Sequence, residues 1–489
     1  MNSDVIIKKK NEVYLQLATP AHIAYELSDH FTFEVEGAKF MPAYKQRYWD
    51  GKIRLYSPGT GEIYAGLREY IEQFCQERHY TYDYVDNEYF GMPDEEDELI
   101  SLNGIISFTK KFSKIKARNY QYKAIYEALR KKRKLIVSPT GSGKSFMIYS
   151  IVRFLQETGQ KILIVVPTTS LVEQMYKDFE DYGWMSEEFC HKVYAGHEKL
   201  SPKPVTITTW QSIYKQHRKY FEKFTAVIGD EAHLFKAKSL TDILTKLHHA
   251  KYRVGFTGTL DGSKTNKLVL EGLFGPHEKV TNTNELIKQG HLSRLKIKIL
   301  SLKHRHVKFD NYQEEIDYLI SHPKRNNFIK NLTLDLAGNT LVLFNYVERH
   351  GEPLYELINN GVKGDRKVFF VHGGVDVKDR EEIRSITENE SDAIIIASYG
   401  TFSTGINIKN LHNIVFASPS KSRVRNLQSI GRVLRKGENK NMAILYDIAD
   451  DTSKDSTNPN YTLKHLFERV KIYNQENFDY EIINIKVKN

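Results

Sequence analysis

A chain of 489 residues, 40% of them hydrophobic and 27% charged, is too long for a single core and has an ordinary globular composition, so about three domains are expected. No apolar run reaches bilayer length, the start of the chain carries only a short apolar run before its lysines, and the two cysteines, Cys75 and Cys190, lie far apart. Membrane spans, a secretory leader, a disulfide scaffold and a zinc site are therefore not expected, and a reducing cytoplasm fits.

The net charge of +10 is unevenly placed. Residues 1–116 hold 14 Lys and Arg against 19 Asp and Glu, whereas residues 110–134 hold 11 against one. The basic remainder implies a polyanion partner and no membrane partner.

In chain order, residues 1–95 read as a small α+β unit. The alternation in FTFEVEGAKF (31–40) predicts a strand, and Asp50-Gly51 predicts a hairpin turn within RYWDGKIRLYS (47–57). The segment GLREYIEQFCQERHY (66–80) reads as a helix with one apolar face. Basic and aromatic residues interleave here, so Lys45, Arg47 and Trp49 form a candidate nucleic-acid surface, with a solvated face over core aromatics as the competing reading. The acidic run 94–98 marks an exposed linker, 96–115.

From residue 116 the pattern alternates between short apolar strands and amphipathic helices, first over 116–288 and again over 289–450. Near-continuous apolar strands between helices predict parallel sheets covered on both faces, hence two tandem α/β lobes. A helical tail over 451–489 completes the chain, either packed on the second lobe or touching substrate.

The chemistry centres on KLIVSPTGSGKSF, where a buried strand runs into a glycine-bearing turn and then a helix. Backbone N–H groups of Thr140, Gly141, Ser142 and Gly143 are set to cradle a polyphosphate, Lys144 to neutralise it, and Ser145 to ligate Mg²⁺. Downstream, Asp230-Glu231-Ala232-His233 closes another strand. Asp230 is the second Mg²⁺ anchor and Glu231 polarises the attacking water. The predicted cofactors are thus ATP and Mg²⁺. Arg118, Tyr120 and Gln121 precede the phosphate-loop strand and suit an adenine, Gln121 bonding its edge both ways.

In the second lobe, QSIGRVLRKG (428–437) sets Gln428, Gly431, Arg432 and Arg435 on one helix, a source of guanidiniums for phosphoryl transfer. Ser403-Thr404-Gly405 is a loop placed to touch nucleotide and substrate. Hydroxyl-rich strand ends recur as Thr168-Thr169-Ser170, Thr209-Trp210-Gln211 and Ser398 to Thr401. Singly they are helix caps; repeated in both lobes they suggest a groove that tracks a nucleic-acid backbone. Thr257-Gly258-Thr259 is suited to couple that groove to the nucleotide.

These strings, in this order, resemble the motif set of superfamily 2 helicases across residues 116–450. The stretches FTFEVEGAKFMP, YWDGKIRLY and NLHNIVFASPSKSRVRNLQSIGRVLRK resemble more closely the UvsW-type helicases of tailed bacteriophages. The resemblance implies a small N-terminal domain before two RecA-like lobes, acting as a monomeric motor on DNA. It implies ATP-driven remodelling of forks and Holliday junctions in phage replication, recombination or repair, with replication or recombination proteins as further partners. An RNA helicase and an ATP-gated clamp or annealing factor are the alternatives. Ser138 replaces the first phosphate-loop glycine, and Asn407 stands where many relatives carry Asp.

Overall fold

The computed structural model describes residues 3–35, 37–85, 100–260, 263–405, 408–418, 420–437, 440–455 and 457–487. The predicted acidic run 94–98 and Asn407 fall outside the described residues. The chain divides into two compact units: residues 1–138 with 143–280, and residues 139–142 with 281–489.

In the first unit a seven-stranded sheet runs in the order Cys190–Val193, Val205–Thr209, Ile162–Val166, Ala226–Gly229, Tyr252–Thr257, Arg133–Val137, His277–Lys279, and every neighbouring pair is parallel. The central strands are buried along their whole length because helices cover both faces. The apolar runs found in sequence are these strands. The edge strands Cys190–Val193 and His277–Lys279 are short and carry polar residues, so apolar pattern alone does not find them.

Arg253 anchors the strand Tyr252–Thr257 from within. It is fully buried, and its guanidinium donates to the carbonyls of Leu273 (2.8 Å), Leu247 (3.1 Å) and Leu244 (2.8 Å). These three acceptors offset the desolvation, which still pushes its pKa down to about 9.

The N-terminal part of this unit is a five-stranded sheet, Tyr56–Ser57, Glu62–Tyr64, Tyr14–Ala18, Val5–Lys9 and Tyr82–Tyr84, with helices Ala21–His30 and Arg68–Glu77. Two expectations change here. The 31–40 strand stops at Glu34, and Asp50-Gly51 does not join a hairpin, because residues 42–45 are helical and Lys52–Arg54 pairs with Thr32–Glu34. Gly37 takes a left-handed φ of +76° and a 3₁₀ turn follows at Ala38–Phe40, which ends the alternation as a strand, and Pro42 then starts the short helix. The expected linker also changes. Its described part holds the helix Leu102–Phe112, with Ile105 and Thr109 buried.

The N-terminal sheet shares one apolar cluster with the ATPase-like sheet: Leu15, Ile63, Leu67 and Phe74 pack with Phe235, Leu268 and Phe274. Polar clasps surround it. Arg133 pairs with Glu12 at 2.8 Å, and Glu271 accepts from Tyr70 at 2.6 Å and lies 2.6 Å from His277 Nδ1.

The second unit repeats the seven-stranded parallel plan in the order Val368–Val371, Ile394–Ser398, Thr340–Phe344, Asn413–Phe416, Met442–Asp451, Arg294–Lys303, Tyr480–Lys486. The strand Arg294–Lys303 carries no continuous apolar run, since its lysines and arginine interrupt it. The tail helix Tyr461–Gln475 packs on this sheet. Arg469 pairs with Asp447 at 2.8 Å in full burial, and Tyr473 donates to the same carboxylate at 2.9 Å. Among the described residues no helix is long and apolar enough to cross a membrane.

A Cβ on Gly66 would lie 2.0 Å from the Glu271 carbonyl oxygen and 2.7 Å from that of Gly272. Gly66→Ala is expected to cost about 1–3 kcal/mol through overpacking. Thermal unfolding should show a lowered Tm, while Gly59→Ala, where a Cβ meets nothing within 4 Å, should leave it unchanged.

Candidate nucleotide and nucleic-acid site

The strand Arg133–Val137 ends at Ser138, whose N–H donates to the Thr257 carbonyl at 2.8 Å, extending the ladder by one bond into the loop. Ser138 is fully buried, so the missing glycine at this position is accommodated by ordinary extended pairing. Gly141 (φ +83°) and Gly143 (φ +79°) adopt left-handed backbone, which the curl of the loop requires. A side chain at Gly143 would also strike the Gln121 amide, 2.4 Å from a Cβ there. Ser142 Oγ donates to the Pro139 carbonyl at 2.6 Å, and Thr140 is half-buried. Helix Lys144–Glu157 begins directly after. Lys144 Nζ turns back over the loop to the Ser138 carbonyl at 3.2 Å. Ser145 Oγ lies 2.8 Å from the Tyr182 hydroxyl.

Asp230 and Glu231 follow the strand Ala226–Gly229. Loss of solvent and the adjoining Glu231 charge push the Asp230 carboxyl up to about 6, against the pull of Lys144 and His233. Such a carboxylate is short of positive charge, which suits a cation ligand. Among the described residues no group of three or more His, Cys, Asp and Glu side chains is assembled to hold a metal ion. Asp230 and Ser145 instead offer one carboxylate and one hydroxyl, a donor set fitting an ion that keeps its waters and phosphate oxygens. Glu231 holds a left-handed φ of +50°, unusual for a side chain of this size.

His233, which sequence reading left without a role, ties two motifs together. Its Nδ1 lies 3.1 Å from Thr257 Oγ1 and 3.3 Å from Glu231 Oε2. Thr257 Oγ1 spends its own proton on the Thr259 carbonyl at 2.9 Å, so it accepts from His233. Strand ends carrying the phosphate loop, the acidic pair and the Thr257-Gly258-Thr259 turn are thus joined by hydrogen bonds. Tyr182 was also missed, since its 37-residue separation from Ser145 leaves no local signal.

Arg118, Tyr120 and Gln121 come together at the start of helix Asn119–Lys131. Arg118 Nη1 donates to the Tyr120 hydroxyl at 2.8 Å. Gln121 is buried and its Oε1 accepts the Arg118 N–H at 2.8 Å. Gln121 thus holds the start of this helix through its oxygen.

The hydroxyl-rich strand ends lead into helices in both units. Thr168 caps Thr169–Asp181 and lies 3.0 Å from Ser170 Oγ. Thr209 Oγ1 lies 2.9 Å from Ser212 Oγ, and Ser398 Oγ lies 2.8 Å from Thr401 Oγ1. Trp210 packs edge-on against Tyr214, while Gln211 is exposed. The latter two sites repeat one pattern, a hydroxyl at the strand end bonded to a hydroxyl three residues on.

In the N-terminal sheet unit, Lys45, Arg47 and Trp49 line a cavity of 590 Å³ together with Lys39, Tyr44, Tyr48 and Asp50. Tyr48 is 85% exposed, so it is a surface residue and not part of the core. Trp49 Nε1 donates to the Lys52 carbonyl at 2.8 Å.

In the second unit, helix Arg423–Val433 carries Gln428, Gly431 and Arg432, and Arg432 stands 5.9 Å from the Phe402 ring. Arg435 lies beyond the helix end, correcting the expected single-helix placement. Gly405 ends helix Tyr399–Gly405; the side chains of residues 403–405 lie outside the described residues.

Family comparisons bear on this geometry. Residues 4–86 match the model "DNA helicase UvsW, N-terminal", residues 114–262 "Type III restriction enzyme, res subunit", and residues 323–437 "Helicase conserved C-terminal domain". The chain is 36% identical over 482 residues to the ATP-dependent DNA helicase uvsW of Enterobacteria phage T4, covering 93% of this chain and 94% of that protein. The chain belongs to the UvsW family. The crystal structure of T4 UvsW aligns over 99% of this chain and 100% of that one, with 32% identity and a TM-score of 0.52. A second relative of this UvsW-family chain is the DNA 3'-5' translocase XPB2 of Sulfurisphaera tokodaii, 25% identical over 378 residues, 70% of this chain and 83% of that protein. The two tandem RecA-like lobes behind a small mixed domain, expected from sequence, are the fold of this family member.

A carboxyl raised in the folded state destabilises it once ionised, so the stability it offers is present at low pH and lost as pH rises through about 6. Asp230→Asn is therefore expected to raise Tm by a few degrees at pH 7, with the gain shrinking toward pH 4. The same variant should lose ATP hydrolysis, which paired calorimetry and phosphate-release assays would check.

Proposed function

We propose that this UvsW-family chain is an ATP-dependent DNA helicase that remodels branched DNA, unwinding or branch-migrating forks and Holliday junctions. The observation that carries the reading is the convergence of Lys144, Asp230, Glu231, His233 and Thr257 at adjoining carboxyl ends of one parallel sheet, where open α/β sheets bind ligands. The match of residues 4–86 to a DNA helicase family favours DNA over RNA.

In this reading the backbone of Thr140, Gly141, Ser142 and Gly143 cradles the ATP phosphates and Lys144 neutralises them. Arg118, Tyr120 and Gln121 border the adenine. Ser145 and Asp230 would hold Mg²⁺, which would supply charge neutralisation for the phosphates. Glu231 takes the proton of the attacking water. Arg432 and Arg435 stabilise charge that develops on the transferred phosphoryl group, and Gly405, at the end of the helix Tyr399–Gly405, contacts the nucleotide.

Thr168, Thr169, Ser170, Thr209, Trp210, Gln211, Ser398 and Thr401 grip the nucleic-acid backbone, with alternate grip and release moving the strand. Lys45, Arg47 and Trp49 add a stacking and phosphate surface in the N-terminal domain. Binding through phosphates implies affinity that falls steeply with salt. The motor works as a monomer in the host cytoplasm, alongside replication or recombination proteins.

Steady-state ATPase activity should be measured with no polymer, single-stranded DNA, single-stranded RNA, linear duplex and a four-way DNA junction. The reading predicts the strongest stimulation by the junction, and a Lys144→Ala protein that loses more than about 100-fold in rate yet keeps its DNA affinity. Stimulation by RNA alone would replace the DNA motor with an RNA motor, and no stimulation by any polymer would remove the motor altogether.

A further inference from the structure

Just before the strand Met442–Asp451, the side chain of Lys440 turns into the second unit and is only 2% exposed. Its ammonium donates to three carbonyl oxygens: those of Val433, of Arg435 at 3.1 Å and of Lys409 at 3.4 Å. Val433 is the last residue of the helix that carries Arg432, and Arg435 lies two residues beyond it. Lys409 belongs to the segment entering the strand Asn413–Phe416. One buried cation thus ties the end of the arginine helix to the chain leading out of the neighbouring helix Tyr399–Gly405.

The chemistry of this tie is specific. An ammonium has three N–H donors and no acceptor, and here all three meet carbonyl oxygens. Two of those oxygens lie at or just past a helix C-terminus, where the backbone dipole favours a cation. Among the described residues no carboxylate pairs with it, and loss of solvent pushes its pKa down to about 7. A buried charge satisfied only by carbonyls is costly, and a methionine of similar length would fill the same space without that desolvation.

The opposite side of the same stretch is already held by main chain. Ser293 N–H donates to the Leu434 carbonyl at 2.8 Å, and Arg294 N–H to that of Asn441 at 3.0 Å. Those bonds fix the stretch against the strand Arg294–Lys303, while Lys440 holds the Val433 and Arg435 carbonyls. Stability alone does not call for the lysine; placing the Arg435 main chain does.

We propose that Lys440 is a positioning residue for ATP hydrolysis, holding the Arg435 main chain and the end of the Arg432 helix so that both guanidiniums are presented in one fixed arrangement. The proposal rests on the reading above that Arg432 and Arg435 act on the transferred phosphoryl group. Lys440 is buried, so it acts through the main chain it holds. Its contribution is to spare the two long side chains a search at the moment of reaction, which is the kind of pre-organisation worth orders of magnitude in rate.

The test uses the full chain with saturating junction DNA and compares Lys440→Met, Lys440→Arg, Arg435→Ala and the Lys440→Met/Arg435→Ala double variant. Lys440→Met is expected to lower kcat roughly 10- to 100-fold while KM for ATP and affinity for ADP stay within about 2-fold. Its Tm should be equal to or above that of the parent, which a purely structural lysine would not allow. Lys440→Arg, which keeps charge and donors, should recover part of kcat, and the double variant should be no slower than Arg435→Ala. If Lys440→Met does not fold, Lys440→Gln, which keeps two N–H donors without charge, carries the same comparison. Normal kcat in the Lys440 variants beside a slow Arg435→Ala would overturn the positioning role. Normal kcat in Arg435→Ala would instead overturn the reading of the arginine on which it rests.

Discussion

The hydrogen bond between His233 and Thr257 joins the two strand ends on which the rest of the first unit depends. Parallel strands deliver all their carboxyl ends to one edge of the sheet, so the phosphate loop, the acidic pair and the Thr257 turn arrive as neighbours for topological reasons. Neighbourhood is not connection, however. The ladder bond from Ser138 to the Thr257 carbonyl and the His233 bond to the Thr257 hydroxyl supply the connection, one through main chain and one through side chain. A change at Glu231, which lies 3.3 Å from the same imidazole, has a short covalent and hydrogen-bonded route to Thr259. The left-handed backbone at Glu231 fits this arrangement, since a strained residue persists only where its surroundings hold it.

The N-terminal domain is built into this unit and does not hang from it. Its apolar residues share a cluster with the helix Lys264–Phe274, and Gly66 is tolerated there because nothing larger clears the Glu271 and Gly272 carbonyls. Arg133, at the start of the phosphate-loop strand, pairs with Glu12 of the N-terminal sheet. The exposed aromatic and basic cavity around Tyr48 and Arg47 is therefore carried on a platform continuous with the ATP-binding sheet. A nucleic acid held there would be held by the same compact unit that carries Lys144.

Much of this was legible in the sequence, and the exceptions have physical causes. Central strands such as Ile162–Val166 announce themselves because both faces are buried, and Gly141 and Gly143 because only glycine takes that backbone cheaply. Arg294–Lys303 was passed over because it alternates lysine and arginine with its apolar residues. The alternation over 31–40 was cut short after Glu34, where Gly37 takes a left-handed backbone, and Arg435 fell two residues outside its helix. The missed residues Tyr182 and His233 act through partners distant in sequence, Ser145 and Thr257. No local pattern encodes such pairs, and only the fold brings them together. The roles of Thr168 and Gln121 show the reverse limit: both occupy helix caps, a local duty that spacing alone does not distinguish from ligand contact.

The account stands most directly on whether the His233–Thr257 connection transmits hydrolysis to strand movement. Thr257→Val keeps the shape of the residue and removes its hydroxyl, so the measurement is base pairs opened per ATP hydrolysed on a labelled junction. A several-fold fall in that ratio, with ATPase activity largely retained, is the predicted result. An unchanged ratio would contradict the account, as would ATPase activity and unwinding falling in proportion.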